Sequence, residues 1–422
     1  MLIEARGQTQ TKRSNPSSKN LPKRLDKADG IQVTRIASLH EARAVMPEWA
    51  EFADTAGSRN PFVHPDWLMP WAEHFLRPGE QVWLLMARRR GRLVGVAPFY
   101  RCSRVRGIAH SMQLWGTGRH CNLIELPQLL LDGEQPRAVA RALVAGLCSE
   151  VRAWDWAMLP LEDQLWLEPD WLPKDATVTV LSNTVRPSVV LSISKDRPPT
   201  LKRNLRESLR RARNRLERAY PHGWSVSCAT DRAELLTALP DLAKLHADRS
   251  RLPGKKRHPN VLRRDADRSF LSAAVTAAAE HDGVALYRLL IHSQAVAALL
   301  VLRTPDCTYF SVSGMSRDAW RFSPTTLLQG RAIDDAVALG HSWVNLSTGP
   351  DTAKLRWSEQ LAVNPEFALV PDRPFSRMAF GAYWQASAAV AVMRERHRHR
   401  VLPDSSGRAT GPARSSDQRQ SR

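Results

Sequence analysis

Tyr309, His246, Asp351 and Lys354 are the side chains of this sequence that could move a proton or a charge during a reaction. Tyr309 opens a β-prone run. His246 lies three residues before Arg249 on a helical stretch, so the two share a face. Asp351 and Lys354 follow Ser347 in a polar loop behind an apolar strand, where they would meet an acceptor. Each also has an ordinary reading: a packed tyrosine, a core histidine, a local surface ion pair.

The stretch that positions them runs YFSVSGMSRDAWRFSPTTLLQGRAIDDAVALGHSWVNLSTGPDTAKLRW, from Tyr309 to Trp357. It reads as a strand ended by Gly314, a basic turn, a helix, a second strand through Trp343, Val344 and Leu346, and a polar loop. Ser323 is placed as an N-cap and Pro324 suits the first helical position. Leu327, Leu328, Ala332, Ala336, Val337 and Leu339 repeat at helical spacing, and Gly340 supplies the stop. The free amides at such a helix start, near Arg317 and Arg321, make an anion site. A phosphorylated donor would lay its pyrophosphate on Ser323, Thr325 and Thr326, with Ser313 at the end of the strand and the two arginines pairing its charge.

The elements before this stretch repeat the same order. A strand from Ile31, a helix through Trp49 and Phe52, a short helix bearing Trp67 and Trp71, and a hairpin turning at Gly91 lead to a strand at Met112–Trp115, a helix from Pro136 and the strand DWAMLP. From Trp224 the chain again gives strand, helix, helix, hairpin, strand, helix, strand, with Pro240 expected to kink or divide the first of those helices. The spacing predicts an α/β protein with mixed sheets, built as two tandem units over about 31–195 and 196–375. A disordered basic tail is expected over 1–30, a terminal helix packed on the second unit over 376–402, and a disordered tail over 403–422.

Length and composition fit an ordinary soluble protein, except for a net charge of +19. That charge favours an anionic partner: nucleic acid, a phosphorylated cofactor or an anionic membrane face. Its densest part, LKRNLRESLRRARNRLER at 201–218, has a leucine stripe for packing and guanidiniums on the remaining surface, which suit phosphates or solvent alike. The uncharged run Met378–Met393 beside RERHRHR gives a second, membrane-peripheral possibility. Five scattered cysteines without a CxxC pair argue against a disulfide framework or zinc module. With no apolar leader and no membrane-length run, the expected compartment is cytoplasmic. HExxH, Walker and Rossmann signatures are absent, as is GxSxG in a strand-turn-helix setting, so neither a metal nor a dinucleotide is expected.

The segments NLRESLRRARNRLE (204–217), LAKLHADRS (242–250), AVAALLVLR (295–303), 309–340 and TGPDTAKLRW (348–357), with PFVHPDWLMPW and GRLVGVAPFY earlier, resemble the CelD-like, cellulose-biosynthesis-type acetyltransferases of the GNAT superfamily. These are related to the Fem-type aminoacyl transferases. The resemblance spans roughly 31–375. It implies two GNAT-like units and an acetyl-CoA or other acyl-CoA donor transferring to an amine, in surface-polysaccharide or envelope metabolism. The strand leading to a capped helix, with two arginines in the turn between, suits direct transfer, with backbone N–H groups near Ser311–Ser313 on the oxyanion and Tyr309 protonating the thiolate; Arg249 and Ser347 would contact the acceptor. Asn345 stands where the family tends to carry an acidic residue, and 314–323 lacks the glycine-rich pyrophosphate signature. An aminoacyl-tRNA donor and a non-catalytic module binding nucleic acid or a membrane surface are the alternatives. Oligomeric state is not legible.

Overall fold

A computed structural model describes residues 23–28, 30–104, 107–118, 122–161, 171–173, 176–194, 196, 201–252 and 258–400. The tail expected over 403–422 and most of that expected over 1–30 lie outside the described residues. Lys23–Ala28 is a strand paired antiparallel with Ile31–Ile36, inside the stretch expected to be disordered. KRLDKA shows no period-two apolar pattern to signal it; backbone pairing to an ordered neighbour is what forms it.

Two mixed sheets carry the fold. The first takes, in spatial order, β1 (Lys23–Ala28), β2 (Ile31–Ile36), β3 (Gln81–Arg89), β4 (Arg92–Arg104), β5 (Ala109–Leu114), β7 (Trp156–Pro160), β16 (Pro365–Pro371) and β8 (Val178–Val185), with β6 (Leu130–Leu131) against β4. The second takes β10 (Trp224–Ala229), β11 (Val284–Ile291), β12 (Gln294–Arg303), β13 (Cys307–Met315), β14 (Trp343–Thr348), β9 (Ser188–Ser192) and β15 (Leu361–Ala362). The repeated element order is found in both halves, and each has one parallel pair, β5 with β7 and β13 with β14.

Sheet membership does not follow the expected boundary at 195/196. β9, from the first half, pairs with β14, while β16, from the second half, pairs with β7. Each half thus covers the exposed edge of the other's last parallel strand, and a sheet edge left unpaired is a row of unsatisfied amides and carbonyls. The side chains interlock as well. Trp67 and Phe75 of the helix Pro65–Phe75 meet Phe270 of the helix Asp265–Ala278 at centroid distances of 6.3 and 5.5 Å, and Phe62 stands edge-on to Tyr309 at 5.1 Å. One apolar core runs through both units.

The helix Arg232–Ser250 continues through Pro240 without dividing. Pro240 is exposed, so the carbonyl its ring leaves unpaired faces water. The terminal helix Pro374–Arg400 packs on the first sheet, through Phe380 and Tyr383 against Trp156, and not on the second unit as expected. β16 carries the chain over to the first sheet immediately before that helix begins. No helix among the described residues is long and apolar enough to cross a membrane.

Candidate active site between the splayed parallel strands

β13 and β14 pair over only three residues, Cys307↔Trp343 to Tyr309↔Asn345, and then separate toward their C-terminal ends. Three local features open this wedge. On β13, Val301↔Phe310 is followed by Leu299↔Ser313, so two residues, Ser311 and Val312, oppose Leu300. Such a bulge leaves one residue's amide outside the ladder. On β14, Ser347 adopts φ 70°, and its N–H donates to the Asn345 side-chain oxygen at 2.9 Å. That local bond lets a non-glycine residue hold the left-handed turn that bends the strand away. At Gly314 a Cβ would fall 2.4 Å from the backbone nitrogen of His246, so only glycine lets the helix Arg232–Ser250 lie this close to the strand. By contrast, β4 and β5 of the first unit keep an unbroken register from Phe99↔Leu114 to Arg104↔Ala109.

The helix Pro324–Leu339 begins beyond the end of β13. Its stripe, Leu327, Leu328, Ala332, Ile333 and Ala336, is buried, and Gly340 at φ 85° closes it with its N–H on the Ala336 and Val337 carbonyls. The expected Ser323 cap is not made: Ser323 sits at φ 52°, and its hydroxyl bonds no helix amide. Pro324 disfavours a right-handed conformation in the residue before it, and the 3-10 turn Trp320–Phe322 delivers the chain left-handed. Thr325 and Thr326 lie half-buried in the first turn. Arg317 and Arg321 are exposed, with the Arg321 guanidinium 4.7 Å from the Phe322 ring centroid.

Around the wedge the structure brings together seven of the residues singled out from the sequence. Arg249 donates to the Ser313 hydroxyl and, at 3.4 Å, to its carbonyl. Burial lowers the Arg249 pKa and the nearby Asp351 charge counters it; the buried Nε has no hydrogen-bond partner. Lys354 Nζ donates to Ser347 Oγ at 2.9 Å and to the Thr348 carbonyl at 2.5 Å. Asp351 caps the short helix Thr352–Leu355, accepting from Lys354 N–H. His246 is engaged on both ring nitrogens, Nδ1 with the Ser313 carbonyl at 2.8 Å and Nε2 with the Val261 N–H at 3.2 Å. Burial lowers its pKa. With both ring nitrogens engaged, His246 braces the helix against the strand and presents no free nitrogen to the wedge.

Tyr309 is fully buried, and its hydroxyl donates to Glu125 Oε2 at 2.5 Å. Burial, with the Glu125 charge, pushes the phenol well above its ordinary pKa. Glu125 also accepts from Thr348 N–H at 3.3 Å and Thr348 Oγ1 at 3.4 Å. Sequence reasoning missed Glu125. It comes from the segment LIELPQLLL of the first unit, where a lone carboxylate amid leucines is the signal the sequence offers. A proton-holding carboxylate–phenol pair thus bridges the two units at the open end of the parallel strands.

Asn345, buried between the Ser347 amide and the Ser188 hydroxyl, holds this end together. Asn345→Ala should cost about 1–3 kcal/mol, the range for orphaning a buried donor. Asn345→Asp, which keeps the acceptor, should lose less. Urea denaturation midpoints of the two variants check this.

Residues 203–355 match the model of the acetyltransferase (GNAT) domain. They include β13, β14 and every wedge residue except Glu125. The fold is similar to that of FemX, with a TM-score of 0.56 at 11% identity over 79% of this chain and 98% of that one. The C-terminal domain of a putative lysylphosphatidylglycerol synthetase from Agrobacterium fabrum gives a TM-score of 0.48 at 11% identity, covering 84% and 95% of the two chains. A tandem GNAT protein from the clavulanic acid biosynthesis pathway gives 0.42 at 12%, covering 82% and 99%. No curated protein matches the sequence. The expected mixed α/β fold is found, and the GNAT-domain match falls within its second unit.

Proposed function

We propose that this protein is an N-acyltransferase that moves an acyl group from an acyl-CoA donor, acetyl-CoA first among them, to an amine of an envelope or polysaccharide precursor. The observation that carries the reading is the Tyr309–Glu125 pair beside a bulged strand whose amide is free of the ladder. The acceptor nitrogen attacks the thioester carbonyl, and the bulge amide near Ser311–Val312 stabilises the oxyanion. Glu125 takes the amine proton, directly or through a water. As the C–S bond breaks, Tyr309 gives its hydroxyl proton to the thiolate and recovers one from Glu125, so the amine's proton ends on the CoA thiol. The donor's pyrophosphate lies at the start of the helix Pro324–Leu339, with Arg317 and Arg321 extended over it. Arg249, braced on Ser313, and Lys354, braced on Ser347, fix the acceptor.

Calorimetric titration with acetyl-CoA and CoA tests this. Wild-type protein should bind both, and Arg317→Ala/Arg321→Ala should weaken binding about tenfold or more, roughly one charge-assisted contact. Failure of wild type to bind either ligand would remove the donor assignment.

A second reading is a Fem-type transfer from aminoacyl-tRNA. It is favoured by the helix Arg203–Ala219, which buries Leu205, Ala212 and Leu216 and leaves Arg211, Arg215 and Arg218 around one exposed groove, and by the overall likeness to FemX. Filter binding of tRNA across a salt series separates the two, because phosphate contacts weaken steeply with salt and CoA use requires no RNA affinity.

A further inference from the structure

On the other side of the junction, away from the proposed transfer chemistry, three side chains converge. His64 precedes the helix Pro65–Phe75 of the first unit, and Asp66 lies in that helix's first turn. His281 ends the 3-10 turn Ala279–His281 of the second unit. Asp66 Oδ2 stands 2.9 Å from His281 Nε2 and 3.2 Å from His64 Nδ1, and one donor atom from each residue can be chosen with all three within 4.8 Å of one another.

His281 Nε2 can donate to that oxygen, but the contact with His64 lacks the hydrogen that would explain it. His64 Nδ1 accepts the Asp66 backbone N–H at 3.2 Å, so it holds no proton to share with the carboxylate oxygen beside it. Two acceptors this close repel unless a cation lies between them. Asp66 is 5% exposed, and His64 Nε2 is buried without a hydrogen-bond partner.

The spacing suits a metal. Ligands at about 2.0–2.1 Å from a tetrahedral ion stand roughly 3.3 Å apart, close to the two distances at Oδ2. The site opens on a cavity of about 480 Å³ lined also by Asp54, Arg303 and His341. We propose that His64, Asp66 and His281 form a site for a divalent first-row transition-metal ion, with zinc the best fit to two imidazoles and a carboxylate, clipping the two units together with one position open to the cavity. This does not depend on the acyl-transfer reading.

The test uses full-length protein stripped with a chelator and dialysed. Titration with Zn²⁺ is expected to give one bound ion per chain and a higher thermal midpoint, and Co²⁺ should produce visible absorption of a low-symmetry nitrogen–oxygen site. His281 is partly exposed, so His281→Ala should fold; it should weaken Zn²⁺ binding by more than about 100-fold, since losing an outer-shell partner alone costs about 10–100-fold. Asp66→Asn should abolish the Co²⁺ spectrum. A wild-type protein that binds no Zn²⁺ would overturn the proposal. So would binding that survives His281→Ala and disappears with His397→Ala/His399→Ala, which would locate the ion in the RERHRHR segment.

Discussion

Glu125→Gln is expected to lower kcat by about 10²–10³-fold, within the usual worth of a positioned general base, while leaving the acyl-CoA dissociation constant unchanged. Glutamine keeps the size of the side chain, and its oxygen still accepts from the Tyr309 hydroxyl and from Thr348. Stability should therefore hold while the capacity to take a proton is lost. Steady-state assay with an amine that supports turnover, paired with donor titration, reads the two effects apart. A variant with full kcat, or one that loses only donor affinity, would remove Glu125 from the chemistry. Tyr309→Phe should then be milder at the attack step and should leave Glu125 with one bond fewer. Because Glu125 comes from the first unit and Tyr309 from the second, the same experiment asks whether the site is complete only when the units are docked.

Gly314→Val should be the most disruptive single change near the site, at about 2–3 kcal/mol of stability, the cost of forcing atoms into a close-packed contact. Its Cβ would stand 2.4 Å from the His246 nitrogen, 2.5 Å from the Leu245 carbonyl carbon and 2.8 Å from Leu245 Cβ. Two of these are backbone atoms of the helix Arg232–Ser250, so no rotamer relieves the clash and the helix must move. With it moves Arg249, whose guanidinium braces Ser313 beside the bulge, so donor or acceptor affinity should fall together with stability. Guanidinium denaturation and ligand titration measure the pair. Gly381→Ala gives the contrast: its Cβ meets nothing within 4 Å in the helix Pro374–Arg400, and it should be neutral or stabilising by up to about 1 kcal/mol. Loss of stability in both variants alike would mean that the close approach at Gly314 is not the cause.

The sequence by itself determined the local pieces. Hairpins at Arg90–Gly91 and His292–Ser293 turn where positive-φ residues sit. The helix Pro324–Leu339 runs from proline to a glycine stop, and the element order repeats in both halves. Such features are set by interactions within a few residues, and periodicity and turn chemistry record them directly. His246, Arg249, Ser313, Ser347, Asp351 and Lys354 could be nominated for the same reason, since each lies at the end or on the face of a legible element.

The tertiary structure decided the rest, because the rest depends on partners far apart in the chain. Pro240 continues its helix because its ring faces water. Ser323 gives up its cap because the preceding turn delivers it left-handed. His246 becomes a brace once Ser313 and Val261 occupy its two nitrogens. The exchange of β9 and β16 between sheets answers the need of each parallel edge for a partner, a need no segment carries in its own residues. Glu125 reaches Tyr309 across 184 positions of sequence, and Asp66 meets His281 across the same junction. Spacing along the chain cannot encode such meetings, since they exist only after two separately patterned units have buried a common core.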